Sequence, residues 1–489
     1  MRFQADFGKP NKKGRFAGSE KFRLAIMGDF SGRANKGKLE TGEILANRKP
    51  LNVHFDNLDD VIERLNIVLD LPVGSTGSAP IEIKSMDDFH PDELYAKLEI
   101  FEEISRLRNR LQDTSSFAAA AREVQQWLGD ENLLKPIEQK AQARGSTIPA
   151  KDSFDDFSQL VGESTVKRET VSSAIENLLK NAVAPYIEPS ADPRQEAMVA
   201  SVDSALSGMM RSILHHPDFQ AMESLWRSVE LLTQRLETDT HLQIVLYDIT
   251  AEEFAADLSG AKSLKDTGIY KLFIEQTALD KQQGPISAIA ACYTFEQTAS
   301  HADLLQRIVQ IVAEPETPFI ASISANCLDS KSLTKEWEAL SAQPASIYLG
   351  LTIPKFMLRI PYGKKSEPID AFDFEELIAH GDTSKFLWGH SSIIAGLSLG
   401  LSYMEQGLKG MNIHANMKIG DLPFHYYTDS DGDQIALPCT EQLFTETQVS
   451  QIIGQNLIPI ISIKGQPEVH IGSWVSLGGN NIAGPWKPI

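Results

Sequence analysis

The sequence predicts an α/β protein: a small α/β N-terminal domain, a helical spacer, and a larger mostly parallel α/β domain whose C-terminal part is rich in strands. Three observations carry this. Nearly continuous apolar runs at 242–249, 286–295, 318–324 and 346–353 alternate with stretches long enough for crossover helices, the pattern of strands buried on both faces of a parallel sheet. A shorter alternation of strand and helix signals fills 22–115, and three prolines crowd Ala182 to Arg194, where they favour extended backbone and mark a boundary. At 489 residues the chain also exceeds the size at which one core usually stops growing.

Taken in order, residues 1–20 form a basic polar arm carrying Lys9, Lys12, Lys13 and Arg15 among glycines. A small domain follows at 21–115: a strand at Phe22 to Met27, an extended run at Leu51 to Phe55, a helix at Leu58 to Leu69, a strand at Ile81 to Lys84, and a helix at Pro91 to Leu111. In that last helix Asp88 can cap, Pro91 and Asp92 fill the first turn, and Leu94, Leu98, Phe101, Ile104 and Leu107 or Leu111 trace one apolar stripe. Residues 116–191 read as a helical spacer and 192–489 as the larger domain. This begins with helices through Met198 to Leu214 and Met222 to Leu232, separated by a turn at His216-Pro217. The apolar segment from Ser391 is too short to span a bilayer and reads as a buried helix. The tail from Leu422 to Ser476 turns to short strands, with a hairpin at Ser430 to Asp433.

Lys plus Arg total 46 against 66 Asp plus Glu, a net charge of −20, which argues against nucleic acid or an anionic membrane surface as a partner. The N-terminus lacks the apolar core of a secretory signal. Cys292, Cys327 and Cys439 are scattered, with no C-x-x-C pair, so neither disulfides nor a structural zinc is expected and buried thiols in a cytoplasmic protein are.

No enzyme motif rises above background. Gly32 to Lys38 nearly spells a phosphate loop, but Leu39 stands where a magnesium-binding hydroxyl is required, and a flexible basic loop is the expectation. Asp429, Asp431 and Asp433 imitate the opening of a calcium loop, yet glycine falls at the fourth place instead of the sixth and Thr440 occupies the twelfth, so a hairpin turn is expected. His215 and His216 are adjacent on a helix and diverge; one of them is expected to help end that helix. No catalytic residue, cofactor site or metal site is assigned.

Three blocks, Arg23 to Arg33 (RLAIMGDFSGR), Asn47 to Leu65 and Lys84 to Leu94, resemble in order the small sheath subunit of bacterial type VI secretion systems. Four more, Arg211 to Leu232, Leu351 to Gly363, Phe386 to His390 and Leu422 to Gln442, resemble the large sheath subunit of the same machine. The resemblance implies a non-enzymatic, cytoplasmic, oligomeric protein in which both subunits are fused. It would assemble with other sheath subunits around an inner tube, above a baseplate, and act by contraction. An accessory that caps, nucleates or limits the sheath is the alternative, and a nucleotide-binding enzyme built on Gly32 to Lys38 a third. The chain's end at Pro488-Ile489 implies that the family's terminal helices and linking strand are lacking. The small-subunit-like half and spacer replace the large subunit's N-terminal extension, so handling by a recycling AAA+ ATPase is not implied. Phe22, Leu24 and Ile26 are expected in an extended assembly segment free to join a neighbouring sheet, and Phe219, Leu225 and Trp226 in a buried helix contact.

Overall fold

The computed structural model describes residues 21–73, 77–127, 145–148, 179, 183, 195–279, 284–328, 333–378, 382–428 and 431–486. The basic arm and nearly all of the expected spacer beyond residue 127 lie outside these residues.

Strand β1 (Phe22–Gly28) is followed by a helical turn, α1 (Gly42–Ala46), strand β2 (Leu51–Val53) and helix α2 (Leu58–Leu65). The helix expected to reach Leu69 stops at Leu65 because Asn66 adopts a left-handed conformation (φ 51°), from which the backbone leaves the helix. Residues 67–73 become β3 (Ile67–Val73), paired antiparallel with β4 (Gly77–Ile83). The long helix expected from Pro91 is two helices, α3 (Pro91–Lys97) and α4 (Glu99–Gln112), broken where Leu98 is extended (φ −89°, ψ 120°). Leu94, Phe101, Ile104, Leu107 and Leu111 all remain buried. Asp88 does not cap α3. His90 does, its Nδ1 accepting from Asp92 N, while Asp88 accepts from the backbone of Lys84 and Ser85.

Helices α5 (Phe117–Trp127), α6 (Gln195–Leu214) and α7 (Pro217–Arg235) lead into β5 (Leu242–Asp248). Then alternate α8 (Ala251–Gly260), β6 (Ala288–Phe295), α9 (Ala299–Ala313), β7 (Phe319–Ile323), α10 (Lys335–Ser341) and β8 (Leu349–Ile353). Two short strands, β9 (Phe356–Met357) and β10 (Trp388–Gly389), precede α11 (Ser391–Gly410), the buried helix the apolar segment predicts. The tail holds β11 (Lys418–Ile419), an antiparallel pair β12 (Tyr426–Thr428) and β13 (Gln434–Ala436), α12 (Glu446–Gly454), β14 (Ile458–Ser462) and β15 (Val469–Ile471). Asp429 and Ser430, between β12 and β13, lie outside the described residues.

One nine-stranded sheet runs through the molecule in the order β11-β15-β14-β8-β7-β6-β1-β5-β2. Six neighbours, from β14 to β5, are parallel, and the flanking strands are antiparallel. Buried strands of this kind need cover on both faces. Phe22, Leu24 and Ile26 of β1 face the apolar cluster that includes residues of α6, α7 and α11, while Ala25 and Met27 face the one that includes residues of α8 and α9.

Candidate assembly site at the seam between the two segments

The most consequential placement is that of β1. It is hydrogen-bonded over its whole length to β5 (Phe22 opposite Leu242, Gly28 opposite Asp248) and along Leu24 to Met27 to β6. The expectation of an extended segment exposed for a neighbouring sheet gives way here: with ladders on both sides, β1 has no edge to offer. All seven of its residues are buried, and from Leu24 to Met27 it is an unbroken apolar run.

The six side chains picked from the sequence all lie in one apolar cluster at this seam. The Phe22 ring stacks on Tyr403 of α11, centroids 5.1 Å apart. The Leu24 methyl groups lie beside Gly396 of the same helix, at 3.4 Å from where its Cβ would stand. From α7, Phe219 meets Phe89 edge-on at 5.7 Å, Leu225 packs against Gly28, and the Trp226 indole donates to the carbonyl of Phe30 at 3.3 Å. Gly28 leaves the space: a Cβ there would stand 2.8 Å from Leu225 Cδ1.

Buried carboxylates stitch the loop after β1 to the helix after β5. Glu253 opens α8 in a reciprocal cap with Thr250 and, fully buried, also receives Arg33 Nε at 3.1 Å, Arg48 through both terminal nitrogens at 2.5 and 2.7 Å, and Glu40 N at 3.0 Å. Asp257, one turn on, accepts from Gly42 N at 2.6 Å and from Gly268 N and Ile269 N. Asp29 Oδ1 accepts from Arg33 N and Oδ2 from Ala34 N. Burial, with Asp248 and Glu252 nearby, pushes the Asp29 carboxyl up to about 7.

The phosphate-like loop is therefore closed on its own partners, with its amides already taken. The amides of Arg33 and Ala34 are spent on Asp29, and those of Lys36, Gly37 and Lys38 on carbonyls of the same loop. Lys36 Nζ reaches the carbonyls of Ser31 and Asn66. A carboxylate sits in the amide nest that a phosphate would need.

A second ionic centre joins α7 to the loop after β9. Arg359, buried, donates Nε to Glu223 at 2.8 Å and its terminal nitrogens to Glu376 at 2.8 and 3.1 Å, lies over the Tyr362 ring, and shares Glu223 with Arg227. Against the upward push of burial, Arg359 holds the Glu376 carboxyl down to about 2. His215 Nε2 stands 3.4 Å from Glu376, and His216 caps α7 by accepting from Asp218 N. The N-terminal segment reaches this loop too: Asp92 accepts from the amides of Asp370 and Ala371, and His90 meets Tyr362 edge-on. The sequence signalled some of this, since Thr250-x-x-Glu253 is a legible capping box. Nothing local marked Arg359, Glu376 or Asp257, whose partners are distant in the chain or become near only in the fold.

All three cysteines are buried. Among the described residues there is no group of three His, Cys, Asp or Glu placed to hold a metal ion, and no helix is long and apolar enough to cross a membrane.

Comparison with known proteins places the two sides of the seam in two families. Residues 19–142 match the VipA family of the type VI secretion system, which covers β1 to β4 and α1 to α5. Residues 196–477 match the VipB/EvpB tail sheath N-terminal domain, which covers the rest of the sheet. The type VI secretion system sheath protein TssC1 of Pseudomonas aeruginosa PAO1 is 27% identical over 323 residues, 61% of this chain and 64% of that protein, so the chain spans just under two thirds of its relative's length. The chain belongs to the type VI tail sheath (VipB) family and carries, fused ahead of that domain and sharing its sheet, a VipA-family segment.

Proposed function

We propose that this protein is a structural subunit of a type VI secretion contractile sheath, working by assembly and contraction around an inner tube rather than by catalysis. The observation that carries the reading is the position of β1: the VipA-family strand lies inside the VipB-family sheet, so one polypeptide supplies both partners of a sheath building block. Its partners are then other sheath subunits, the inner-tube protein and the baseplate, and its compartment the cytoplasm. The residues at 21–115 and 192–489 act as the small- and large-subunit parts, with Phe22, Leu24, Ile26, Phe219, Leu225 and Trp226 holding them together.

A second reading is an accessory that caps or limits a sheath. The sheet's outer strands favour it: β2 has three residues and β11 two, and short edges offer little ladder for a further strand. Electron microscopy of the purified protein, alone and mixed with separate sheath subunits, distinguishes the two. Long tubes support the sheath subunit and particles bound at tube ends the cap; a protein that neither polymerises nor binds sheath sinks both.

A further inference from the structure

Read from β1 outward, the parallel core has β5 on one side and β6, β7 and β8 on the other, so the chain reverses its direction of travel between β1 and β6. Open α/β sheets bind ligands in the crevice that such a reversal leaves at the carboxyl ends of the strands. Here that crevice lies beside Asp29 after β1, Ala251 and Glu252 after β5, and Thr294 near the end of β6. Residues 145–148, outside both family matches, run through it. Gly145 N donates to Glu252 Oε1 at 3.0 Å, Ala251 N donates to the Gly145 carbonyl at 2.9 Å, and Thr294 N to the Ser146 carbonyl at 3.2 Å. Thr147 bridges Thr294 in parallel, and Ile148 is buried in the apolar cluster that includes Phe254 and Tyr293.

We infer that this crevice is a peptide-binding site, whose occupant is the chain's own residues 145–148. The inference goes beyond the sheath reading and does not depend on it. The crevice offers an acceptor for one backbone N–H and two donors for successive carbonyls, the complement of an extended peptide. The Glu252 carboxylate, which takes the Gly145 amide, disfavours an anionic ligand. Glycine is required at the first position: Gly145 has φ +82°, and a Cβ there would stand 2.7 Å from Asp29 Oδ2. The fourth position takes an apolar side chain. A residual cavity of about 30 Å³ remains beneath, lined by Gly145, Ser146, Asp29, Asn35, Cys292 and His390 among others. The site fastens the connection between the two family segments to the sheet itself.

The test uses the full chain and the buried thiol under the peptide. In Gly145→Val, alkylation of Cys292 by N-ethylmaleimide, read by peptide mass mapping, rises roughly tenfold or more, as local opening demands, while Cys327 and Cys439 stay protected. Adding the synthetic peptide of residues 143–150 (ARGSTIPA) slows Cys292 again, and the same peptide with valine for glycine does not. Cys292 remaining protected, or failing to respond to the peptide, overturns the inference. Should Gly145→Val expose all three thiols, Ile148→Ser is judged by the same criterion. In the unaltered chain the amides of Ala251 and Thr294 exchange as slowly as those of β1, and fast exchange at both also overturns it. Tube formation is a separate readout, so failure of the peptide site and of the sheath reading are distinguishable.

Discussion

The indole of Trp226, on a helix of the VipB-family segment, donates to the backbone carbonyl of Phe30, just past the central strand of the VipA-family segment, and the two rings meet edge-on at 5.3 Å. Both side chains are fully buried, so this contact reads the join between the two segments directly.

Replacing Trp226 with alanine removes that hydrogen bond and opens a cavity against Phe30, at an expected cost of about 3–5 kcal/mol. Trp226→Phe keeps most of the apolar volume and loses chiefly the indole donor, so its cost is smaller. Urea melts followed by far-ultraviolet dichroism measure both. A Trp226→Ala protein as stable as the parent contradicts the packing described.

Arg359 neutralises two carboxylates that have almost no solvent of their own, Glu223 and Glu376. Arg359→Ala leaves both buried and poorly compensated, an expected loss of about 3–5 kcal/mol. Lysine keeps the charge without the planar fork and recovers only part. Because Glu376 is held down to about 2, its contribution is present above its ordinary range near 4.5 and is lost as pH falls towards 2. Glu376→Gln therefore flattens acid denaturation below pH 4, seen in Tm measured across pH.

Asp257 accepts three backbone amides, from Gly42, Gly268 and Ile269, and so ties α1 to the chain after α8. Alanine leaves three donors unpaired at about 1–3 kcal/mol each before relaxation. Gly268→Ala strikes the same joint, its Cβ only 2.5 Å from the Gly42 carbonyl. Hydrogen exchange should show faster amides at Gly42 and Ile269 in both variants while β7 and β8 are unaffected.

Much of the α/β core was legible because its strands are unbroken apolar runs and its helices carry caps or amphipathic stripes. Ala288 to Phe295 and Pro91 to Gln112 advertise themselves locally. Three features were not. The end of α2 rests on a left-handed Asn66 that residue type alone does not dictate. The break at Leu98 has no glycine or proline to announce it. The central place of β1 depends on partners more than 200 residues away, and no local pattern separates a central strand from an extended segment waiting for a neighbour. Of the site, the large apolar side chains at the seam were readable; the ionic joints were not, because single charged residues in sequence look like solvated surface until the fold buries them.

Asp29 makes stability depend on pH in the opposite direction to Glu376. Burial and the neighbouring Asp248 raise its carboxyl to about 7, so the folded chain holds a proton that the unfolded chain releases near 4. Stability from this group is full below pH 4 and declines as pH rises through 7, by a few kcal/mol at most, since Asp248 titrates upward beside it. Asp29→Asn removes the ionisation but sets an amide nitrogen against one of the two backbone donors, Arg33 N or Ala34 N, at about 1–3 kcal/mol. The variant should start less stable than the parent at pH 5 and lose less between pH 5 and 8, so that the two Tm curves converge. Parallel curves over that range would show that Asp29 stays ionised in the fold.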